Sequence, residues 1–148
     1  MHLILGLDLD GAIYRPLAPE TAESDVLAVG PAGFVGLLEE RLGLPSEPEE
    51  PVLRVFAWER ALAAADNGRR FYSASFALDP FGTAQSLLAE RDDLLLCAPS
   101  AWSLTALAAA GGRLADLAAA EAAATALPPG LPDRLRAILA ELRLERIP

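Results

Sequence analysis

Two aspartates separated by one residue stand at the head of the chain, in MHLILGLDLDGAIY over residues 1–14. Asp8 and Asp10 follow an apolar run and precede Gly11. That order suits phosphoryl transfer, with the first carboxylate as nucleophile and the second as acid/base. Such chemistry needs a metal and a cationic side chain to offset the repulsion between carboxylate and phosphate. A second place is VLAVGPAGFVGLL at 26–38, where Gly30 and Gly33 lie between a strand-like and a helix-like pattern. There the backbone N–H groups of a phosphate loop would wrap a nucleotide. The third is GRRFYSASF at 68–76, in which Arg69, Arg70 and Tyr72 combine cations with an aromatic ring. Such sets contact phosphates and stack on bases. Trp58 and Trp102 read as packing residues, and Cys97, in LLLCAPS, as a buried, inert thiol.

Composition limits each of these chemistries. All 12 basic residues are arginines, against 21 acidic residues and a formal net charge of -9. The haloacid-dehalogenase phosphatases, whose first strand ends in Asp-x-Asp-Gly, are resembled only in the opening segment. Their downstream lysine is absent, Asp92-Asp93 precedes an apolar stretch instead of following one, and Ser100 matches their small hydroxyl motif only loosely. At the Gly30 loop, Pro31 removes a backbone donor, and no lysine or hydroxyl follows Gly33 to hold phosphate or magnesium. An acidic field opposes unaided nucleic-acid binding and leaves only a local arginine contact. One cysteine and one histidine exclude an internal disulfide and a cysteine-based zinc site. The chain has no long uncharged apolar run and no positively charged N-terminal head, so a cytoplasmic protein without a membrane partner is expected.

The elements that must position these residues follow from periodicity. Leu3 to Leu9 reads as a strand closed by the Asp10-Gly11 turn, and Val26 to Val29 as a second short strand ended by Gly30-Pro31. Ala32 to Leu42 has helical spacing, with Phe34, Leu37, Leu38 and Leu42 on one face and Gly43 as its cap. PSEPEEP at 45–51 is an acidic, proline-rich loop. Val52 to Asp66 is a helix with Leu53, Phe56, Ala57, Arg60 and Ala64 on one side, stopped by Asn67-Gly68. Residues 69–78 fit either a helix start or a loop. Asp79 caps the next helix, which repeats Phe81, Ala84, Leu87, Leu88 and Arg91. Leu94 to Ala98 then reads as a buried strand. A short helix or loop, an alanine-rich helix from Arg113 and an amphipathic helix from Leu131 complete the chain. Strands alternating with helices predict an α/β architecture with parallel pairing.

Three stretches, 29–44, 68–96 and 113–142, together resemble the N-terminal region of bacterial PD-(D/E)XK nuclease family proteins. These are related to the B subunit of the AddAB helicase-exonuclease of recombinational DNA repair, and the resemblance covers nearly the whole chain. It implies a P-loop-like, degenerate helicase-like layered domain over 1–148, the N-terminal fragment of a longer protein. Gly30 and Gly33 would be the remains of its phosphate loop. No catalytic residue or cofactor is implied for this chain; magnesium belongs to the remote nuclease domain of the parent, whose acidic residues and lysine are not assignable here. The implied partners are the remaining domains, DNA and a helicase subunit, with Arg69, Arg70 and Tyr72 as DNA-contact candidates. Two other readings stand beside it: a protein-interaction scaffold without a nucleic-acid role, and a phosphatase using Asp8 and Asp10.

Overall fold

A computed structural model describes residues 2–6, 9–10, 26–45, 50–97 and 104–144. These residues are mostly helical and carry one small sheet of two parallel strands, β1 (His2–Leu5) and β2 (Val26–Val29). The chain divides into two compact units, Met1–Glu47 with Ala137–Pro148, and Pro48–Arg136.

In the first unit, β1 pairs with β2 in the register Leu3 with Leu27 and Ile4 with Ala28. The Gly6 N–H adds a bond to the Val29 carbonyl at 3.1 Å. β1 is shorter than the pattern Leu3 to Leu9 predicts. Gly6 ends it, because the Leu9 N–H turns back to the Gly6 carbonyl at 3.2 Å. Gly30 leads directly from β2 into α1 (Pro31–Leu42), where Pro31 costs no helical hydrogen bond because the first-turn N–H groups have no partner within the helix. Gly43 closes α1 in the left-handed conformation (φ 67°) that a residue without a Cβ adopts freely. Phe34, Leu37, Leu38 and Leu42, the expected apolar face, are all half-buried, and the most buried residues of α1 are Val35 and Glu39.

The second unit is helical. α2 (Pro51–Ala65), α3 (Ser73–Leu78), α4 (Pro80–Cys97), α5 (Leu104–Leu107), a single 3-10 turn at Ala108–Ala110, α6 (Gly112–Ala123) and the start of α7 (Leu131–Leu144) follow in order. α7 residues from Ala137 onward group with the first unit. The core of the second unit is built on Trp58, Leu62, Tyr72, Ala84, Leu88, Leu95, Leu104 and Leu117.

Two sequence expectations are corrected here. Of the strand expected from Leu94 to Ala98, Leu94–Cys97 are helical instead: α4 runs unbroken to Cys97, with Leu95 2% exposed on its inner face, and Ala98 lies outside the described residues. No glycine or proline stands between Asp93 and Cys97 to interrupt the helix, and an apolar run alone fits a buried helix as well as a strand. The buried face of α2 is also rotated. Leu53 and Phe56 are exposed, whereas Arg54, Val55, Trp58, Ala61 and Leu62 face inward. The large indole of Trp58 and an ion pair at Arg54, not the count of apolar side chains, set the helix's rotation. The P-loop-like layering implied by the resemblance is not evident in a fold this helical.

Candidate functional site

In the first unit the chemistry-bearing residues meet at the N-terminus of α1. Asp10 lies 22 residues upstream of Ala32, yet its carboxylate accepts the Ala32 N–H at 2.6 Å through Oδ2 and the Gly33 N–H at 3.2 Å through Oδ1. These are first-turn amides that a helix leaves unpaired, at the positive end of its dipole. The protein's own carboxylate therefore takes the place that a phosphate would take at a nucleotide loop. The glycines follow from this approach. A methyl group on Gly30 would collide with the carboxylate and backbone nitrogen of Asp10, and one on Gly33 would press on the Val29 Cβ at 3.3 Å. Gly30 and Gly33 thus make room for an aspartate and for the strand. Each Asp10 oxygen accepts one of these N–H groups, which gives the carboxylate a capping role at this helix end. Asp8 lies outside the described residues, as do Ser100 and Trp102.

In the second unit the three DNA-contact candidates are placed very differently from one another. Tyr72 is 2% exposed, edge-on to Phe71 and Phe76, and its hydroxyl donates to the Leu62 carbonyl at 3.2 Å. Burial pushes its phenol pKa up. Such a ring is closed to a base. Arg70 is turned inward: its Nε donates to the Ala65 carbonyl and its Nη1 to Asp116 at 2.8 Å, while the other Asp116 oxygen accepts the Phe71 N–H. Arg69 is exposed. The turn before them is fixed by Asp66, which accepts the Ser73 hydroxyl and the Gly68 N–H; those bonds lower its pKa.

The densest polar cluster is one that the sequence does not announce. Arg54 of α2 and Arg91 of α4, 4% and 3% exposed, lie among Asp92, Glu121 of α6 and Asp133 of α7. Arg91 grips Glu121 with Nε and Nη2 at 2.7 and 2.8 Å, and reaches Asp133 at 3.1 Å and Asp92 at 2.7 Å. Arg54 bonds Asp92 at 2.8 Å and the Pro128 carbonyl at 3.0 Å. Burial opposes the charge of Arg91, but the hydrogen bonds to Glu121 and Asp133 outweigh it and raise its pKa. Burial likewise works against the Asp133 carboxylate; the bonds from Arg91 and the Gly130 N–H win, and its pKa is lowered. Each donor of Arg91 meets a carboxylate, so the cluster offers no open cation to a substrate. It ties four helices together.

One sequence signal points to this cluster: Arg91 falls on the apolar stripe of its helix, where a charge must find partners. The partners lie 30 and 42 residues away, which no local pattern encodes. Cys97, expected to be buried, is exposed at the end of α4, because the helix carries it past the core instead of into a strand. Trp58 is fully buried, as expected of a packing residue. Among the described residues, no group of three or more metal-ligating side chains is assembled, and no helix is long and apolar enough to cross a membrane. Comparison with family models, with curated proteins and with solved structures gives no match.

Proposed function

We propose that this chain is the non-catalytic, helicase-like N-terminal part of a DNA-repair helicase-exonuclease, a P-loop-like element that has lost its nucleotide. The observation that carries this reading is Asp10, bonded to the Ala32 and Gly33 N–H groups where a nucleotide phosphate would sit. The parallel β1–β2 pair and the direct passage from β2 through Gly30 into α1 are consistent with a strand–loop–helix of that kind. A loop with Pro31 in its first turn and no lysine retains shape without phosphate chemistry. In this reading the chain packs against the rest of its parent, whose remote nuclease uses magnesium, and Arg69 is the residue of the three candidates left to touch a DNA backbone.

The test is a titration of labelled single- and double-stranded DNA against the purified chain at increasing salt, with magnesium-dependent cleavage measured alongside. The reading predicts weak binding at low salt that falls steeply as salt rises, a further loss in Arg69→Ala, and no cleavage. Absence of binding at low salt, or cleavage abolished by changing the chain's own carboxylates, overturns it.

A second reading, a protein-interaction scaffold with no nucleic-acid role, is favoured by one observation. Val52, Leu53 and Phe56 of α2 are each at least half exposed, and Phe56 meets Phe81 of α4 at 5.4 Å between ring centroids. An apolar surface of that kind on an acidic chain suits a protein partner better than a polyanion.

A further inference from the structure

The polar cluster of the second unit has a seam in it. On one side stand Arg54, Arg91, Asp92 and Glu121, carried by α2, α4 and α6; on the other stand Asp133 and Arg136, carried by the first turns of α7. The short bonds lie within the first group: Arg91 to Glu121 at 2.7 and 2.8 Å, Arg91 to Asp92 at 2.7 Å and Arg54 to Asp92 at 2.8 Å. Those that cross to α7 are longer. Arg91 reaches the two Asp133 oxygens at 3.1 and 3.2 Å, and Arg54 comes within 3.9 Å of one of them. Each side is also balanced in charge. Parting the seam leaves two guanidinium groups with two carboxylates on α2, α4 and α6, and takes Asp133 away together with Arg136, 3.8 Å from it, and the Gly130 N–H. The heavy cost of breaking a buried ion pair comes from stranding an uncompensated charge, and here none is stranded.

Apolar packing does little to close the seam. Among the described residues, the core cluster of this unit takes none of its buried members from α7. Pro132 is fully buried, but Leu131 is 39% exposed and Leu135 is half-buried. A cavity of about 300 Å³ lies on the same line, bordered by Arg91, Glu121, Asp133 and Arg136, so the two sides are not close-packed there. A further bond holds the segment before α7, from Arg54 Nε to the Pro128 carbonyl at 3.0 Å, and Gly130 leaves room for that guanidinium where a Cβ would collide. We infer that residues 128–136, the Pro-Pro-Gly strap and the first turns of α7, form a latch that opens and closes on α2, α4 and α6 while the core of the unit stays folded. Once open, the latch gives solvent access to the Arg91 and Arg54 guanidinium groups, 3% and 4% exposed when it is closed. α7 is the helix by which the chain leaves this unit, since its residues from Ala137 group with the first, so the latch sets whether that passage is tied down. This motion is independent of whether the chain touches DNA.

The test is native-state amide exchange of the whole chain at urea concentrations below its unfolding transition, with Asp133→Asn, Arg91→Met, the two together, and Glu121→Gln alongside. In the unmodified chain the amides of Arg134, Leu135 and Arg136 should exchange at a rate that urea barely changes, while those of Leu62 and Leu88 exchange through an opening that urea promotes. Asp133→Asn and Arg91→Met each loosen the seam and should speed exchange at 134–136 about tenfold; combining them adds little, because both remove the same interaction. Glu121→Gln weakens the joint between α4 and α6 and leaves Arg91 more dependent on Asp133, so exchange at Leu88 should quicken and exchange at 134–136 should not. Exchange at 134–136 that follows urea in step with Leu62 and Leu88 overturns the inference, a result that requires no variant to fold. So does equal acceleration of 134–136 by Glu121→Gln and Asp133→Asn, which would make α7 part of one all-or-none unit. No effect of Arg91→Met at 134–136 also overturns it, by reducing the opening to the fraying of a helix end.

Discussion

Replacing Arg91 by methionine keeps a side chain of similar reach and removes the charge and donors that serve Glu121, Asp133 and Asp92. In the intact cluster the buried guanidinium groups of Arg54 and Arg91, together with the half-exposed Arg136 3.8 Å from Asp133, face three carboxylates; after substitution Arg54 is the one buried guanidinium that remains. Removing one partner from a buried ion pair costs about 3–5 kcal/mol, because the remaining charges stay behind without compensation. Here the carboxylates retain 14–24% of their side-chain exposure, so water solvates part of the excess and the lower end, about 3 kcal/mol, applies. For a unit of this size the melting temperature falls by about 12–24 °C. Trp58, whose ring lies 6.0 Å from the Arg91 guanidinium, reports urea unfolding by fluorescence when Trp102 is changed to phenylalanine. The pH dependence supplies a second arm. The Asp133 pKa is lowered below its ordinary value of 3.8 in the folded state, so its contribution is present above the unfolded pKa and is lost as pH falls through and below that value. The stability difference between the unmodified chain and Arg91→Met should therefore shrink in acid, as the carboxylates left behind become neutral. A loss below about 1 kcal/mol at neutral pH, the worth of an exposed ion pair, or a loss that is the same at pH 7 and in acid, would refute the assignment of a buried stabilising cluster.

Other outcomes follow from the same geometry. Asp10→Ala leaves the Ala32 and Gly33 N–H groups without their carboxylate and should cost about 1 kcal/mol, read as faster amide exchange in the first turn of α1 and not in α4. Gly30→Ala drives a Cβ into Asp10, so it should reproduce the exchange pattern of Asp10→Ala; unchanged exchange would contradict the close approach. Cys97, exposed at the end of α4, should react with a thiol reagent in the native protein as fast as in urea, and strong native protection would count against the unbroken helix. Tyr72→Phe removes the hydroxyl bonded to the Leu62 carbonyl and should lower stability by about 1 kcal/mol while leaving DNA affinity unchanged.

Much of the local structure is legible in the sequence because local chemistry determines it. Gly43, Asn67-Gly68 and Asp79 each punctuate a helix where the sequence places them, and Asp79 accepts the Gly82 N–H at 2.9 Å as a cap should. Both strands are legible as short apolar runs; β2 ends where Gly30-Pro31 places it, whereas β1 ends at Leu5, short of the Asp10-Gly11 turn. What local pattern misses depends on distant residues. Leu94 to Cys97 is apolar enough for a strand, and only the packing of Leu95 into the helical core decides that it is the last turn of α4. Periodicity misplaces the inner face of α2 because nothing local marks Arg54 as an inward residue; its carboxylate partner, Asp92, stands 38 residues away. The loop at Gly30 is recognisable as a place where a helix N-terminus meets a strand. Its occupant is not: Asp10 has the sequence setting of a catalytic carboxylate, and only the three-dimensional approach of residues 10 and 32 turns it into a cap.

Nucleotide binding tests the central claim most directly. Magnesium-ATP is titrated into the purified chain by calorimetry, with the Ala32 and Gly33 amide resonances followed in parallel and phosphate release measured in the same samples. With Asp10 already bonded to both amides and no lysine to hold a phosphate, the account predicts no saturable heat, no shift of the two resonances and no phosphate release above the protein-free rate. Saturable binding that shifts Ala32 and Gly33, or phosphate release lost on changing Gly33, would contradict it.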